Sequence, residues 1–173
     1  MQSRIVCREM ALERMVFYES LKAIFLHIDN HEKAFLSRYN LSIPRFYVLL
    51  HIHNHPGISY MDLTDLMLCT KSNTTRVVQG MQKDGLVLRK MDPADRRSFQ
   101  LSLSQSGNAL FQKVYPEYVA LVDSLMSLFS DEELERYALA SNHIENTLAP
   151  DNLASRKSAL RVENPQPVSS LIN

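Results

Sequence analysis

Residues Thr70 to Gly107 read TKSNTTRVVQGMQKDGLVLRKMDPADRRSFQLSLSQSG, and two periodicities meet in them. From Thr70 the chain offers hydroxyls and an amide (Thr70, Ser72, Asn73, Thr74, Thr75) beside Lys71 and Arg76. Val77, Val78 and Met81 follow. At helical period this predicts a helix with a donor-rich leading end, a buried face of Thr74, Val77, Val78 and Met81, and a stop at Asp84-Gly85. Leu86, Val87 and Leu88 come next, then the charged loop Asp92-Pro93-Ala94-Asp95-Arg96-Arg97, then the alternation Phe99, Leu101, Leu103. An apolar run, a loop with Pro and Asp, and a period-two run predict a β-hairpin with a long basic tip.

The flanks are helical. From about Met10 to Tyr39, Met15, Leu21, Ile24, Phe25, Ile28, Phe35 and Leu36 recur at helical spacing with no Gly or Pro. One long helix is expected there, with more apolar surface than a small domain covers by itself, so that a partner helix should bury the rest. Asn40-Leu41-Ser42-Ile43-Pro44 breaks it and starts a second helix, with Ser42 as N-cap and Pro44 in the first turn. Phe46, Val48, Leu49, Leu50 and Ile52 make that helix largely buried, and His55-Pro56-Gly57 ends it. Ser59-Tyr60-Met61-Asp62 has capping-box spacing and opens a short third helix through Leu63, Leu66, Met67 and Leu68, after which Thr70 caps the fourth. Beyond the hairpin, Ser104 to Ser106 restarts helix through Leu110, Val114, Tyr118, Leu121, Val122, Leu125 and Met126, with Pro116 expected to kink it. Ser130-Asp131-Glu132-Glu133 is a capping box for a last helix carrying Leu134, Ala138, Ile144 and Leu148 and ending near Pro150.

The fold class that follows is mainly α (α+β): a helix-turn-helix with a hairpin wing, between helical segments. The expected divisions are an N-terminal helix (1–40) that a partner helix should cover, a winged helix-turn-helix domain (41–104), C-terminal helices (105–149), for which the resemblance described below implies, as for the first, a dimerisation role, and a tail or partner-packing arm (150–173).

With 173 residues, 22% charged and 45% hydrophobic, the chain has the make-up of an ordinary globular domain. Its formal net charge is zero, but the charge is unevenly placed. Residues 70–100 hold seven cations against three acids, a local +4, while residues 104–173 hold five against nine, a local −4. A phosphate backbone responds to the local value. Arg4, Arg8, Glu9, Glu13 and Arg14 interrupt any early apolar run, so no membrane association and a cytoplasmic location are expected. Cys7 and Cys69 do not make a disulfide framework in that compartment. Four glycines, with no Gly-rich phosphate loop and no nucleophile elbow, leave an enzyme or a cofactor without support. Asp131, Glu132 and Glu133 read as a helix start rather than an acid-base pair. His51 and His55, one helical turn apart, invite a zinc site. His53 points the opposite way and the helix C-terminus itself favours imidazoles, so no metal is expected.

The whole order resembles the MarR-type winged helix-turn-helix transcriptional regulators. The matching residues are Thr70-Lys71-Ser72 through Thr75-Arg76, Lys83-Asp84-Gly85-Leu86-Val87, and above all Asp92-Pro93-Ala94-Asp95-Arg96-Arg97-Ser98 followed by Leu101-Ser102-Leu103-Ser104 and Gly107. The resemblance runs from about residue 12 to 148. Gly80 departs from it, standing where the family usually has a long polar side chain, and Thr74 stands where an aliphatic residue is common. The resemblance implies a homodimer whose first and last two helices interlock and whose recognition helices enter successive major grooves of double-stranded DNA.

Residue roles follow. Ser72, Asn73, Thr75, Arg76 and Gln79 are of types that read base edges, and Lys71 at the helix start suits a phosphate. At the wing, Arg97 is expected in a minor groove and Arg96 on phosphate, with Asp95 orienting one of them. By analogy, a small-molecule effector pocket is expected near the first two helices and the fifth, with His27, His31, Arg45 and Tyr47 as candidates. Cys7 lies ahead of the position at which a peroxide-sensing branch of the group carries its cysteine, and Cys69 reads as a small buried residue. The expected function is a sequence-specific regulator, acting as a repressor on a pseudo-palindromic operator. The alternatives are a winged-helix protein-interaction module or an architectural DNA-binding protein.

Overall fold

Helix α1 (Gln2–Ser37) is the first element of the computed structural model, which describes residues 2–91 and 99–149, with side chains from Leu12 onward. It starts well before Met10, because no breaker occurs in residues 2–9. It stops at Ser37 because the next three backbone N–H groups, of Arg38, Tyr39 and Asn40, turn back to the carbonyls of Phe35, Leu36 and Ser37. Asn40 then takes a left-handed φ of 54°, a conformation Asn tolerates. The Arg38 guanidinium covers the Phe35 and Tyr39 rings. Much of the helix surface is bare and apolar: Phe17, Ile24, Phe25 and Leu26 are all more than half exposed. The chain divides into two units, one ending at Ile43 and the other starting at Pro44.

The second unit holds the remaining elements. Helix α2 (Ile43–Asn54) buries Phe46, Val48, Leu49 and Ile52 and leaves Leu50 half-buried. It is followed by strand β1 (Ile58–Ser59), helix α3 (Tyr60–Leu66), helix α4 (Lys71–Lys83), strands β2 (Val87–Met91) and β3 (Phe99–Leu103), and helices α5 (Gln105–Met126) and α6 (Asp131–Leu148). The three strands form one antiparallel sheet in the order β1-β3-β2. Ile58, Leu63, Val78, Met81, Val87, Leu101, Phe111 and Val114 fill the core with the α2 residues.

Strand β1 is absent from the sequence reading, since two residues carry no period. Ser59 serves two elements, pairing with Gln100 of β3 and capping α3. Its hydroxyl accepts from the Asp62 N–H (3.1 Å) and donates to the Asp62 carboxylate (2.7 Å), so the expected box is closed by the hydroxyl. Helix α3 ends at Leu66 rather than Leu68. Leu68 instead adopts a left-handed φ of 51° in the tight turn before α4 and is exposed. Non-glycine residues pay strain there.

The two ends of the stretch from Thr70 to Gly107 are stitched together. Ser104 caps α5 by accepting from the Gly107 N–H (2.9 Å), and the hydroxyls of Ser104 and Ser106 donate to the Gly85 carbonyl (2.6 and 2.8 Å). Gly85 has φ +71° at the end of α4. Gly107 is required by contact: a Cβ there would sit 2.0 Å from the Leu86 carbonyl oxygen. Helix α5 continues through Pro116, and α6 opens on a complete Ser130–Glu133 capping box. No residue of α6 is buried.

Candidate nucleic-acid interface

The site begins with the cap of α4. Thr70 has extended backbone and its Oγ1 accepts from the Asn73 N–H at 3.3 Å, fixing the helix start. Thr74, Val78 and Met81 are fully buried, which anchors one face of the helix. Val77 is only half-buried and contributes less to that face than its spacing predicts. The anchored face rotates Lys71, Ser72, Arg76 and Gln79 into solvent. Together with Thr75 these residues line an open depression of about 450 Å³.

Asn73, the fifth helix residue expected to read bases, stands apart. It is half-buried, and both ends of its amide are engaged: Nδ2 donates to Cys69 Sγ (3.6 Å), and Oδ1 accepts from the Arg76 guanidinium (2.9 Å). Arg76 keeps further N–H donors beyond the one given to Asn73. Thr75 donates its hydroxyl proton to the Lys71 carbonyl (2.8 Å), leaving its oxygen as an acceptor. The depression therefore mixes two cations, hydroxyls and an amide on one rigid helical face.

The wing strands agree with the sequence reading, with Val87 opposite Leu103 and Met91 opposite Phe99. Asp95, Arg96 and Arg97 lie outside the described residues. One hairpin residue has a partner that its charge alone does not announce. Arg89, opposite Leu101, lays its guanidinium on the Phe99 ring at 3.3 Å from the centroid, with the Tyr60 ring at 5.7 Å. The available signal was the alternation of β2, which puts Arg89 on the same side as buried Val87.

The other candidates fall as follows. Arg45 pairs with Asp84 at the end of α4 (2.5 Å), and the Tyr47 and Tyr118 hydroxyls share a hydrogen bond (3.1 Å). His27 and His31 are exposed on α1. His53 stacks on Phe111 with centroids 4.3 Å apart, and among the described residues no three His, Cys, Asp or Glu side chains are grouped to hold a metal. Cys69 is half-buried rather than buried, and the Cys7 side chain lies outside the described ones. Among the described residues no helix is long and apolar enough to cross a membrane.

A tight-turn pair of helices, the second presenting this face, followed by a hairpin on a small antiparallel sheet, defines a winged helix-turn-helix protein. Residues 41–99 match the model of the MarR family. The chain is 25% identical over 115 residues to the HTH-type transcriptional regulator MhqR of Bacillus subtilis (strain 168), spanning 66% of this chain and 79% of that one. Among solved structures it is similar in fold to AbsC, a MarR family transcriptional regulator from Streptomyces coelicolor (TM-score 0.74, 21% identity, 78% of this chain and 93% of that one). It is also similar to MepR of S. aureus in its DNA complex (TM-score 0.70, 19% identity, 76% of this chain and 98% of that one).

Proposed function

We propose that this protein is a sequence-specific DNA-binding transcriptional regulator that works in the cytoplasm as a homodimer on a pseudo-palindromic operator, as a repressor under the control of a small effector. The observation that carries the reading is the depression on α4, where Lys71, Ser72, Thr75, Arg76 and Gln79 converge on one helical face anchored from behind by Thr74, Val78 and Met81. Arg76 and Gln79 have the forked donors and acceptors that pair with purine edges, and the hydroxyls accept either way. Lys71 supplies phosphate charge, which orients the helix without reading sequence. Arg96 and Arg97 extend the contact to the flanking backbone and minor groove, with Asp95 orienting one of them. The solved structure of MepR, a fold neighbour, is a complex with DNA.

The homodimer is supported by the apolar surface left bare on α1 and by an α6 without a buried residue, with Tyr137 and Leu139 more than half exposed. Large exposed apolar surface calls for a partner. A twofold dimer presents its recognition helices about 34 Å apart, one turn of DNA. We assign effector binding to His27, His31, Arg45 and Tyr47. Tyr47, hydrogen-bonded to Tyr118, is the first of them to vary when effectors are screened.

The test is to recover bound fragments from genomic DNA, then measure binding to the recovered operator and to its scrambled sequence over a range of salt. A specific regulator binds the operator at least about 10³-fold more tightly, with a steep loss of affinity as salt rises. Equal binding to both sequences would assign an architectural role, and no binding to either would leave a protein-interaction module.

A further inference from the structure

The cations of residues 70–100 are not equivalent, and Arg89 differs from the rest in what it touches. Strand β3 is held on both sides only as far as the pair Ser59–Gln100. Beyond that pair, Met91 opposite Phe99 belongs to a ribbon of two strands alone. Two-stranded ribbons twist strongly and are marginal in water, so a third strand cannot set the wing's angle there.

Arg89 sits at this fulcrum. It faces fully buried Leu101 across the ladder, which places its side chain on the core-facing side of the hairpin. The guanidinium lies 3.3 Å from the ring centroid of Phe99, the first residue of β3, and 5.7 Å from that of Tyr60, the first residue of α3. The Tyr60 hydroxyl in turn donates to Gln82 Oε1 on α4 (3.3 Å). Burial raises the Tyr60 pKa, and the Arg89 charge works against that rise, which places the guanidinium within electrostatic reach of the phenol.

We propose that Arg89 is a positioning residue of the wing: gripping Phe99 and Tyr60 where the hairpin leaves the three-stranded sheet, it sets the angle at which the wing's own cations meet DNA. The contact favours a flat cation, because a guanidinium lies parallel to a ring face and reaches two rings at once, whereas an ammonium is a compact, strongly hydrated point charge. It is solvent-exposed, so it contributes little to global stability. Its effect is concentrated on the one angle that the sheet leaves unset. The inference rests on the DNA-binding reading above and on the wing's part in it.

A double-mutant cycle tests it. Operator affinity and melting temperature are measured for the full chain, for Arg89→Met and Arg89→Lys, and for both in an Arg96→Ala/Arg97→Ala background. The expected result is a melting temperature close to that of the parent and an affinity loss of about fivefold for Met and Lys alike. In the background without wing cations, that loss shrinks to less than about twofold, since no wing contact remains to be misplaced. Near-parental binding by Arg89→Lys beside weak binding by Arg89→Met would make Arg89 a phosphate contact and overturn the proposal. Equal losses in both backgrounds would do the same, leaving a general structural role, as would an Arg96→Ala/Arg97→Ala protein that binds like the parent. Absence of specific binding by the parent chain itself would instead fell the broader reading, and this inference with it.

Discussion

Arg76 and Asn73 divide a task that their one-letter pattern presents as shared. Asn73 is turned partly inward, held by Cys69, and its carbonyl oxygen steers the Arg76 guanidinium. Arg76→Ala is expected to cost about 1–3 kcal/mol of operator binding and to relax specificity at one base pair, as measured by titrating operators varied singly. Lys71→Ala should instead weaken operator and scrambled DNA alike and flatten the salt dependence by about one ion. The donor set was legible in the sequence because residue type alone supplies it. The turning of Asn73 was not, because each residue rotates the helix by about 100°, so a side chain at the margin of the buried face is assigned by its neighbours rather than by its period. Arg89 escaped for a related reason: a charged residue in a hairpin reads as solvated until the aromatic beneath it is placed.

At the scale of elements, caps and breakers carried most of the boundaries. Thr70, Ser59, Ser104 and Ser130 each accept the N–H bond that starts a helix, and Gly85 ends α4 in a left-handed conformation. What failed to show was short or long-range. Strand β1 is too brief to have a period and exists because β3 offers it a ladder. Helix α3 loses Met67 and Leu68 to the tight turn that aims α4. The glycines separate these cases experimentally. Gly80 lies inside α4 with nothing among the described residues within 4 Å of where its Cβ would be, so Gly80→Ala should stabilise the domain by about 1 kcal/mol in thermal or urea unfolding. Gly107→Ala should destabilise it by about 1–3 kcal/mol or more, because the added carbon meets the Leu86 carbonyl, which the Ser104 N–H holds in place.

For the whole molecule, the division of labour was visible in the distribution of charge and apolar surface. A segment of local charge +4 carries α4 and the wing strands, and the helices on either side leave apolar side chains exposed. One winged helix of this size spans a single half-site, whereas two on a twofold axis read a palindrome. A hydroxyl-radical footprint of the full chain on its recovered operator tests that account most directly. Two protected patches on one face of the duplex, centred about 34 Å apart and lost on the scrambled sequence, are the predicted result. A single patch, or protection that does not depend on sequence, would contradict it.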